Sequence, residues 1–225
     1  MGASSVIHAG TRAVVFDAYG TLFDVHSAVR LHADRIGPDA ARLSDIWRAK
    51  QLEYSWVLSL AGRYERFSVL TEKALDYALA LHPAIDRSVK PLLLDAYRHL
   101  AAYPDVRPAL EALRARGLAT AILSNGDPDM LNAAVSSAGL QSLVDPVLSV
   151  DGAKIFKTSP STYRFALSKL LLGIHEVVFV SSNRWDVAGA TAFGMASVWV
   201  NRQGLPDEYA ELAPRAVVSS LDTLF

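Results

Sequence analysis

Cysteine is absent from this chain of 225 residues. Its absence excludes disulfide bonds, thiolate nucleophiles and cysteine-ligated zinc or iron–sulfur centres, and it leaves the redox compartment open. Long hydrophobic runs are also missing, since no segment reaches the ~20 apolar residues of a membrane-spanning helix. Residues 1–10 do not have the cationic start and apolar stretch of a secretory signal. We therefore expect a cytoplasmic protein with no membrane partner.

A large excess of one charge is missing as well. The chain has 22 Lys and Arg against 23 Asp and Glu, a formal net charge of −1. It contains no basic block of the kind that binds phosphate backbones, so nucleic acid is not an expected partner. Hydrophobic residues make up 51% of the chain, which is an ordinary globular composition. A chain of this length can bury one large core, or a core with a small accessory domain, without disulfide or metal support.

Short apolar runs predict a parallel sheet. They are apolar on both faces, which is typical of strands that helices cover on both sides. The runs occupy residues 13–17, 119–123, 177–180 and 197–200. The sequence therefore predicts an α/β fold with a doubly wound, Rossmann-like parallel sheet.

Helix start and stop signals separate these runs. Proline and small polar residues favour the first turn of a helix, and glycine favours its end. The predicted helices start and end at Pro108 and Gly117, Asp127-Pro128 and Gly139, Ser159-Pro160 and Gly173, and Asn183 and Gly194.

The interval from 25 to 103 has no strand-like run. Its apolar residues keep helical spacing, as Leu43, Ile46, Trp47 and Tyr54 illustrate. We expect a helical cap subdomain over 25–103, inserted after the first strand, with 1–24 and 104–225 forming the core. Such an insertion lies at the carboxyl edge of the strands, where open α/β sheets bind ligands, so it would form a lid over the site.

Polar residues gather where the predicted strands end. They are compatible with a nucleophile and acid–base site, and also with simple capping of the following helices, an alternative that applies most to Asn183, Ser159 and Asp127. Asp17 differs because no obvious helix start follows it closely, and an ionised carboxylate at the end of an apolar strand must be paired. The candidates are Asp17, Thr21, Ser124, Asn125, Ser181, Asn183 and Asp186, with Lys157 in a loop.

Lys157 and Arg48 each have an ordinary alternative. Lys157 is the natural cation for a site with two carboxylates, Asp17 and Asp186, but a solvated loop lysine fits its position equally well. Arg48 lies three residues after Asp45 on a predicted helix, which favours a surface ion pair. Aromatic residues are packing residues by default, and those near the candidate site are Tyr19, Phe67, Tyr163 and Trp185.

Three separated motifs resemble the haloacid dehalogenase superfamily and, more closely, the (S)-2-haloacid dehalogenases. The similarity runs over nearly the whole chain, and the segment from Trp47-Arg48 to Tyr54 resembles that family's first lid helix. The motifs are Phe16-Asp17-Ala18-Tyr19-Gly20-Thr21-Leu22-Phe23-Asp24, Leu123-Ser124-Asn125-Gly126 and Phe179-Val180-Ser181-Ser182-Asn183-Arg184-Trp185-Asp186.

The resemblance implies a hydrolysis in two steps. Asp17 displaces halide from C2 of an (S)-2-haloalkanoate and forms an ester, and water activated by Asp186 then releases an (R)-2-hydroxy acid. Lys157 keeps Asp17 ionised and oriented, and it positions Asp186 together with Ser181 and Asn183. The resemblance also suggests a homodimer.

The same resemblance implies the binding groups. Ser124, the Asn125 backbone and the amides near Ala18 and Tyr19 hold the substrate carboxylate. Arg48 and Asn125 cradle the halide. Thr21 and Tyr163 support the reacting groups, and the apolar walls are Tyr19, Leu52, Phe67 and Trp185.

No metal or other cofactor is expected. Phosphatases of the superfamily hold magnesium with the nucleophilic aspartate, an acid two residues later and further acids in the last motif. Tyr19 stands at the second position here, and Ser181-Ser182-Asn183 occupies much of the last motif, whereas a hard cation prefers several oxygen ligands. A metal-dependent phosphatase is therefore the weaker enzymatic alternative. A non-catalytic binding protein of the same fold is the other alternative.

One departure from the family follows Lys157. Superfamily members commonly have proline there, and this chain has Thr158. Lys154 is an alternative motif lysine, but Lys157 keeps the family spacing to Tyr163. The preferred halide, including fluoride, and the chain length of the substrate are left open by the sequence.

Overall fold

One parallel sheet of six strands forms the centre of the molecule. The computed structural model describes residues 7–224, so residues 1–6 and 225 of the expected core lie outside the described residues. The strands are β1 (Ala13–Phe16), β2 (Ala119–Ser124), β3 (Val147–Ser149), β4 (Val177–Ser181), β5 (Ala196–Val200) and β6 (Ala216–Val218). Their order across the sheet is β3-β2-β1-β4-β5-β6, and every neighbouring pair is parallel. The predicted doubly wound α/β fold is confirmed.

Nine α-helices connect or cover these strands within residues 7–224. Six of them lie between β1 and β2, and none of the nine is long and apolar enough to cross a membrane. The helices are α1 (Ser27–Leu31), α2 (Ala33–Ile36), α3 (Ala40–Leu60), α4 (Phe67–Ala80), α5 (Val89–Arg98), α6 (Val106–Ala115), α7 (Pro128–Ser137), α8 (Pro160–Leu170) and α9 (Arg184–Phe193).

The central strand β1 pairs with β2 on one side and β4 on the other. All four of its residues are buried, as are the five residues of β4, which explains their uninterrupted apolar runs. The chain order reverses between β1 and β4, and open α/β sheets bind ligands in the crevice at such a point. Asp17 continues this pairing, because its N–H donates to the carbonyl of Val180 at 2.9 Å. The sheet thus brings the ends of β1 and β4 together.

Two strands and two helix boundaries were missed from the sequence. β3 and β6 have three residues each, too few for a period to be recognised, and β6 is only partly buried. α6 begins before Pro108, with Asp105 at its N-cap position. α8 ends before Gly173, because Leu171 already takes a left-handed conformation with φ of 54°.

The predicted starts of α7, α8 and α9 are confirmed, but the capping side chains differ. Ser159 caps α8 by accepting a hydrogen bond from the N–H of Ser161. Asp127 and Asn183 occupy the N-cap positions of α7 and α9 without bonding to their own helices. Both side chains have partners elsewhere in the molecule.

The longest helices of the inserted stretch pack against each other. Trp47 Nε1 donates to the carbonyl of Thr71 at 2.8 Å, and Gln51 Nε2 donates to Thr71 Oγ1 at 3.1 Å. These bonds join α3 to α4 through buried groups. The limits of the insertion, 25 to 103, stay a prediction.

Candidate active site

Asp17 lies directly after β1 and is almost completely buried. Its Oδ2 accepts hydrogen bonds from Asn183 Nδ2 at 2.7 Å, Thr21 Oγ1 at 3.0 Å and Ser181 Oγ at 3.4 Å. Its Oδ1 is 3.0 Å from Lys157 Nζ. Every one of these partners was predicted as a site residue. Together they satisfy the carboxylate inside the protein, as a buried charge requires.

The turn after Asp17 depends on Gly20. Its φ of +91° lies in the left-handed region, which glycine adopts at little cost. Asn183 Nδ2 also donates to the carbonyl of Tyr19 at 2.9 Å. One amide therefore holds both the turn and the Asp17 carboxylate, instead of capping α9.

Lys157 bridges the two buried carboxylates. Its Nζ is 3.0 Å from Asp17 Oδ1 and 2.8 Å from Asp186 Oδ2, and its side chain is fully buried. Burial alone lowers the pKa of Lys157, but the two carboxylates outweigh burial and raise the pKa above its ordinary value. The ammonium group is therefore charged at neutral pH. Lys154, the alternative motif lysine, instead pairs with Asp151 and is exposed.

The peptide between Lys157 and Thr158 is cis. The N–H of Lys157 donates to Asn125 Oδ1 at 3.0 Å. This bond joins the loop after β2 to the backbone of the lysine. Lys157 therefore contacts both carboxylates although the residue after it is Thr158, where the family usually has proline.

Asp186 is held by Lys157 and Tyr163. The Tyr163 hydroxyl donates to Asp186 Oδ1 at 2.7 Å. Burial raises the pKa of Asp186 to about 6 and the nearby Asp17 adds to this increase, whereas Lys157 and Tyr163 oppose it. A carboxylate with this pKa can accept a proton near neutral pH.

The close approach of Tyr163 to α9 requires glycine at position 189. A Cβ there would lie 2.5 Å from the Tyr163 hydroxyl. Ser181 and Asn183, which we expected to position Asp186, make their side-chain contacts with Asp17 instead. The backbone carbonyl of Asn183 accepts a hydrogen bond from the N–H of Asp186 at 3.0 Å, and the part of both residues in positioning Asp186 stays a prediction.

The loop after β2 carries two further predicted residues. Ser124 Oγ accepts a hydrogen bond from the N–H of Gly126 at 3.2 Å, and Ser149 Oγ donates to the Gly126 carbonyl at 2.6 Å. Ser124 and Asn125 are both buried. The loop is therefore fixed from both sides at the edge where β1 and β4 end.

Arg48 contacts the turn after Asp17 instead of forming a surface ion pair with Asp45. Its Nη2 donates to the carbonyl of Tyr19 at 3.2 Å. No ion pair within residues 7–224 joins Arg48 to Asp45, whose partner is His26 at 3.9 Å. Arg48 and Asn183 both line a cavity of about 370 Å³, so Arg48 on α3 and the residue that holds Asp17 border the same cavity.

Aromatic rings form one wall of the site. The Tyr19 ring stacks between the rings of Phe67 and Tyr97, with centroid distances of 6.1 and 5.5 Å. The Tyr19 hydroxyl is buried and has no hydrogen-bond partner among the described residues. Burial raises its pKa well above the ordinary value, so the phenol is neutral.

The other predicted wall residues lie on α3 and α9. Trp185 packs edge-on against Trp56, with ring centroids 5.5 Å apart. Leu52 is half-buried on α3, one helical turn after Arg48. Among the described residues neither side chain has a hydrogen bond or ring contact with Asp17, so their part in the site stays a prediction.

Sequence reasoning missed Tyr97 and the role of Asp127. Tyr97 lies on a helix of the inserted stretch, and only its stacking on Tyr19 brings it to the site. The Asp127 carboxylate accepts hydrogen bonds from the backbone of α4, far away in the chain. No local pattern in the sequence could have indicated either contact.

Known proteins match this chain over most of its length. A family model for haloacid dehalogenase-like hydrolases matches residues 11–194. The chain is 50% identical over 214 residues to (S)-2-haloacid dehalogenase 1 of Pseudomonas sp. (strain CBS-3), and the match covers 95% of this chain and 94% of that protein.

Solved structures agree with this assignment. A dehalogenase with an intermediate complex has a TM-score of 0.95 and 46% identity, with 97% of each chain covered. The L-2-haloacid dehalogenase of Xanthobacter autotrophicus, with chloropropionic acid covalently bound, has a TM-score of 0.85 and 39% identity over 94% of this chain and 95% of that chain. The chain therefore belongs to the haloacid dehalogenase-like hydrolases and, within them, to the (S)-2-haloacid dehalogenases.

Proposed function

We propose that this protein hydrolyses (S)-2-haloalkanoic acids to (R)-2-hydroxyalkanoic acids and halide through an ester on Asp17. The observation that carries the proposal is the buried trio of Asp17, Lys157 and Asp186, with Lys157 Nζ 3.0 and 2.8 Å from the two carboxylates. It combines a nucleophile, a fixed cation and a base in one buried cluster. The relative from Xanthobacter, with chloropropionic acid covalently bound, supports the same chemistry.

In the first step a carboxylate oxygen of Asp17 attacks C2 of the substrate. The new C–O bond forms as the carbon–halogen bond breaks, and the halide leaves with the bonding electrons. Attack from the side opposite to the halide inverts C2. Thr21, Asn183 and Lys157 hold the carboxylate in one orientation, which lowers the entropy cost of the attack.

In the second step water attacks Cγ of Asp17. Asp186 takes a proton from this water, the ester C–O bond at Cγ breaks, and the departing alkoxide is protonated to give the hydroxy acid. The bond formed at C2 in the first step is kept, so the inverted configuration persists. Lys157 and Tyr163 orient Asp186 for this role.

The substrate groups have matching partners at the edge of the sheet. We assign the substrate carboxylate to Ser124, the Asn125 backbone and the amides near Ala18 and Tyr19. Arg48 and Asn125 stabilise the departing halide. Phe67 and Tyr19 are the apolar wall, to which Leu52 and Trp185 also contribute.

The proposed reaction uses no metal ion. Tyr19 takes the position of the second acid that a phosphatase of the superfamily needs, and the Lys157 ammonium lies between the two carboxylates, where a cation would otherwise balance their charge. Phosphoryl transfer needs further positive charge at the phosphate. The metal-dependent phosphatase is accordingly the disfavoured alternative.

The first test is halide release from the two enantiomers of 2-chloropropanoate in the presence of a chelator. We expect chloride from the (S) form alone, unchanged by chelation, and no turnover by Asp17→Asn. If the protein released no halide from haloacids but released phosphate from phosphate esters in the presence of magnesium, the proposal would be contradicted. Turnover that persists in Asp17→Asn would exclude Asp17 as the nucleophile.

Three wider assignments accompany this function. We propose that residues 25–103 are the cap over the site, supported by the contacts of Arg48 with Tyr19 and of Phe67 with Asp127. We also propose a homodimer, supported by exposed apolar side chains on the cap. A cytoplasmic location is the third assignment, and it rests on the sequence alone.

A further inference from the structure

The Asp127 carboxylate caps a helix other than its own. Asp127 occupies the N-cap position of α7, but its side chain makes no bond to that helix. Oδ1 accepts from the N–H of Phe67 and Oδ2 from the N–H of Ser68, each at 2.9 Å. Both donors belong to the first turn of α4. The carboxylate is completely buried, and Arg66 Nε lies 3.4 Å from Oδ2.

These two bonds satisfy groups that a helix leaves unpaired. The first N–H groups of a helix have no partner within the helix, and a negative charge there is favourable. Arg66 occupies the N-cap position of α4, and its side chain does not supply such a bond. The sequence separation of 60 and 59 residues shows that the contact joins the core to the inserted helices.

Phe67 is the residue that this contact positions. Its ring lies 6.1 Å from the Tyr19 ring and 6.0 Å from the Phe156 ring. Its backbone N–H is fixed by Asp127, so the first turn of α4 that carries the ring cannot shift without breaking a buried bond to a carboxylate. Such bonds are costly to leave unmade.

The loop that leads to Asp127 carries Asn125 and follows directly after Ser124, the last residue of β2. Under the proposed function these two residues hold the acid group of the substrate, and Asn125 is fixed to the backbone of Lys157. One rigid loop therefore sets the distance between the bound acid group and the Phe67 wall. That distance determines how well a substituent on C2 is packed.

We propose that Asp127 is a positioning residue that sets the preference for a C2 substituent by holding Phe67 over the site. The proposal rests on the proposed function, since it concerns the alkyl group of a 2-haloacid. Asp127 touches neither substrate nor reacting atoms and acts through the first turn of α4.

The test compares (S)-2-chloropropanoate, which has a methyl group on C2, with chloroacetate, which has none. In Asp127→Asn the side-chain amide faces one of the two backbone N–H groups with its own N–H, so one bond is lost. We expect kcat/KM for 2-chloropropanoate to fall about tenfold, mainly through KM, and kcat/KM for chloroacetate to change less than about twofold. Amide hydrogen exchange at Phe67 and Ser68 should become faster.

A matched control and a double variant separate positioning from folding. Asp129→Asn removes an exposed carboxylate that binds the same Arg66 and should change neither the substrate ratio nor the exchange. Phe67→Leu should reproduce the loss of preference, and adding Asp127→Asn to it should lower the preference little further, since the two residues act as one unit. If Asp127→Asn does not fold, Arg66→Gln tests the contact with both backbone bonds kept, and a smaller loss of preference is expected.

The outcomes distinguish the two proposals. Equal losses on both substrates at unchanged KM would mean that Asp127 only supports folding, and an unchanged substrate ratio in an active Asp127→Asn enzyme would likewise overturn the positioning role. A wild-type enzyme that releases no halide from either substrate would overturn the proposed function, and the substrate preference with it.

Discussion

Three polar side chains bind Oδ2 of Asp17, and Lys157 binds Oδ1. A carboxylate on a flexible stem would rotate between orientations, but this one is restrained at both oxygens. The restraint comes from β1, β4 and the Lys157 loop at once. A nucleophile restrained in this way loses little freedom when it attacks the substrate.

The negative charge on Asp17 acts directly on the pKa of Asp186. Asp17 contributes to the raised pKa of Asp186. Formation of the ester removes that negative charge, so the pKa of Asp186 falls when the intermediate forms. Lys157 then has a single carboxylate to pair with. We infer that formation of the ester in the first step leaves Asp186 more fully ionised, and therefore able to accept a proton in the second step.

Tyr163→Phe tests this arrangement at the pH where Asp186 ionises. The Tyr163 hydroxyl lowers the pKa of Asp186, so its removal raises that pKa and keeps Asp186 protonated to higher pH. A protonated Asp186 cannot accept a proton from water. We expect the acid limb of the rate of ester hydrolysis to move to higher pH, with hydrolysis several-fold slower at mildly acidic pH.

Single-turnover measurement of the Asp17 ester by mass spectrometry at several pH values gives this rate directly. Ser168→Ala is the control on the same helix, since Ser168 is exposed and bonds only within α8. An acid limb that stays in place in Tyr163→Phe would contradict the role given to the hydroxyl.

At the scale of the secondary-structure elements, the end of β5 is tied to the turn after Asp17. Arg202 Nη2 donates to the carbonyl of Thr21 at 3.1 Å, and Nη1 pairs with Asp105 Oδ2 at 2.6 Å. Asp105 also accepts from the N–H of Leu221 at 2.8 Å. The first turn of α6, the end of β5 and the chain after β6 thus meet at one carboxylate.

Asp105→Asn tests how much this junction stabilises the fold. Burial raises the pKa of Asp105, but bonds from Arg202 and Leu221 outweigh burial and hold the pKa below the ordinary 3.8. Because the folded pKa is the lower one, the stabilisation is complete above 3.8 and is lost as the pH falls toward the folded pKa. We expect Asp105→Asn to lower the free energy of unfolding at neutral pH by about 1.5–3 kcal/mol.

Urea unfolding of both proteins at neutral and acidic pH measures this difference. The wild type and Asp105→Asn should converge in stability below the folded pKa. Asp222→Asn is the matched control, because Asp222 is an exposed carboxylate that shares Ser220 with Asp105. Equal losses in the two variants would contradict a specific role for the buried carboxylate.

At the scale of the whole molecule, α3 has an exposed apolar face formed by Val57 and Leu60, which lie three residues apart and are 56 and 90% exposed. Tyr77 on α4 and Leu81 at its end are 40 and 53% exposed. Apolar patches of this kind mark association surfaces. We therefore expect the wild type to sediment as a dimer and Val57→Glu to sediment as a monomer.

Leu171→Glu is the control for this prediction, because Leu171 is equally apolar, is 88% exposed and lies at the end of α8, outside the inserted helices. It should leave the dimer intact. A wild-type monomer, or a dimer that persists in Val57→Glu, would contradict the assignment of this face.

The sequence by itself determined the sheet and the main groups of the site. Fully buried strands such as β1 and β4 leave apolar runs that can be read locally, and the polar residues after them must meet because parallel strands end at one edge. Asp17 and Asp186 were identified in this way, whereas Lys157, which lies in a loop, was selected through the family resemblance, which also assigned the roles of all three. Short or half-exposed strands, β3 and β6, leave no such pattern.

Only the tertiary structure decided which partner each polar side chain takes. Asp127 and Asn183 have the sequence of ordinary helix caps, yet one binds the backbone of α4 and the other binds Asp17. Arg48 reaches the carbonyl of Tyr19 instead of Asp45. These choices, like the pKa of about 6 at Asp186, depend on burial and on distances between groups far apart in the chain. Local sequence encodes neither quantity, since both arise only when the helices pack on the sheet.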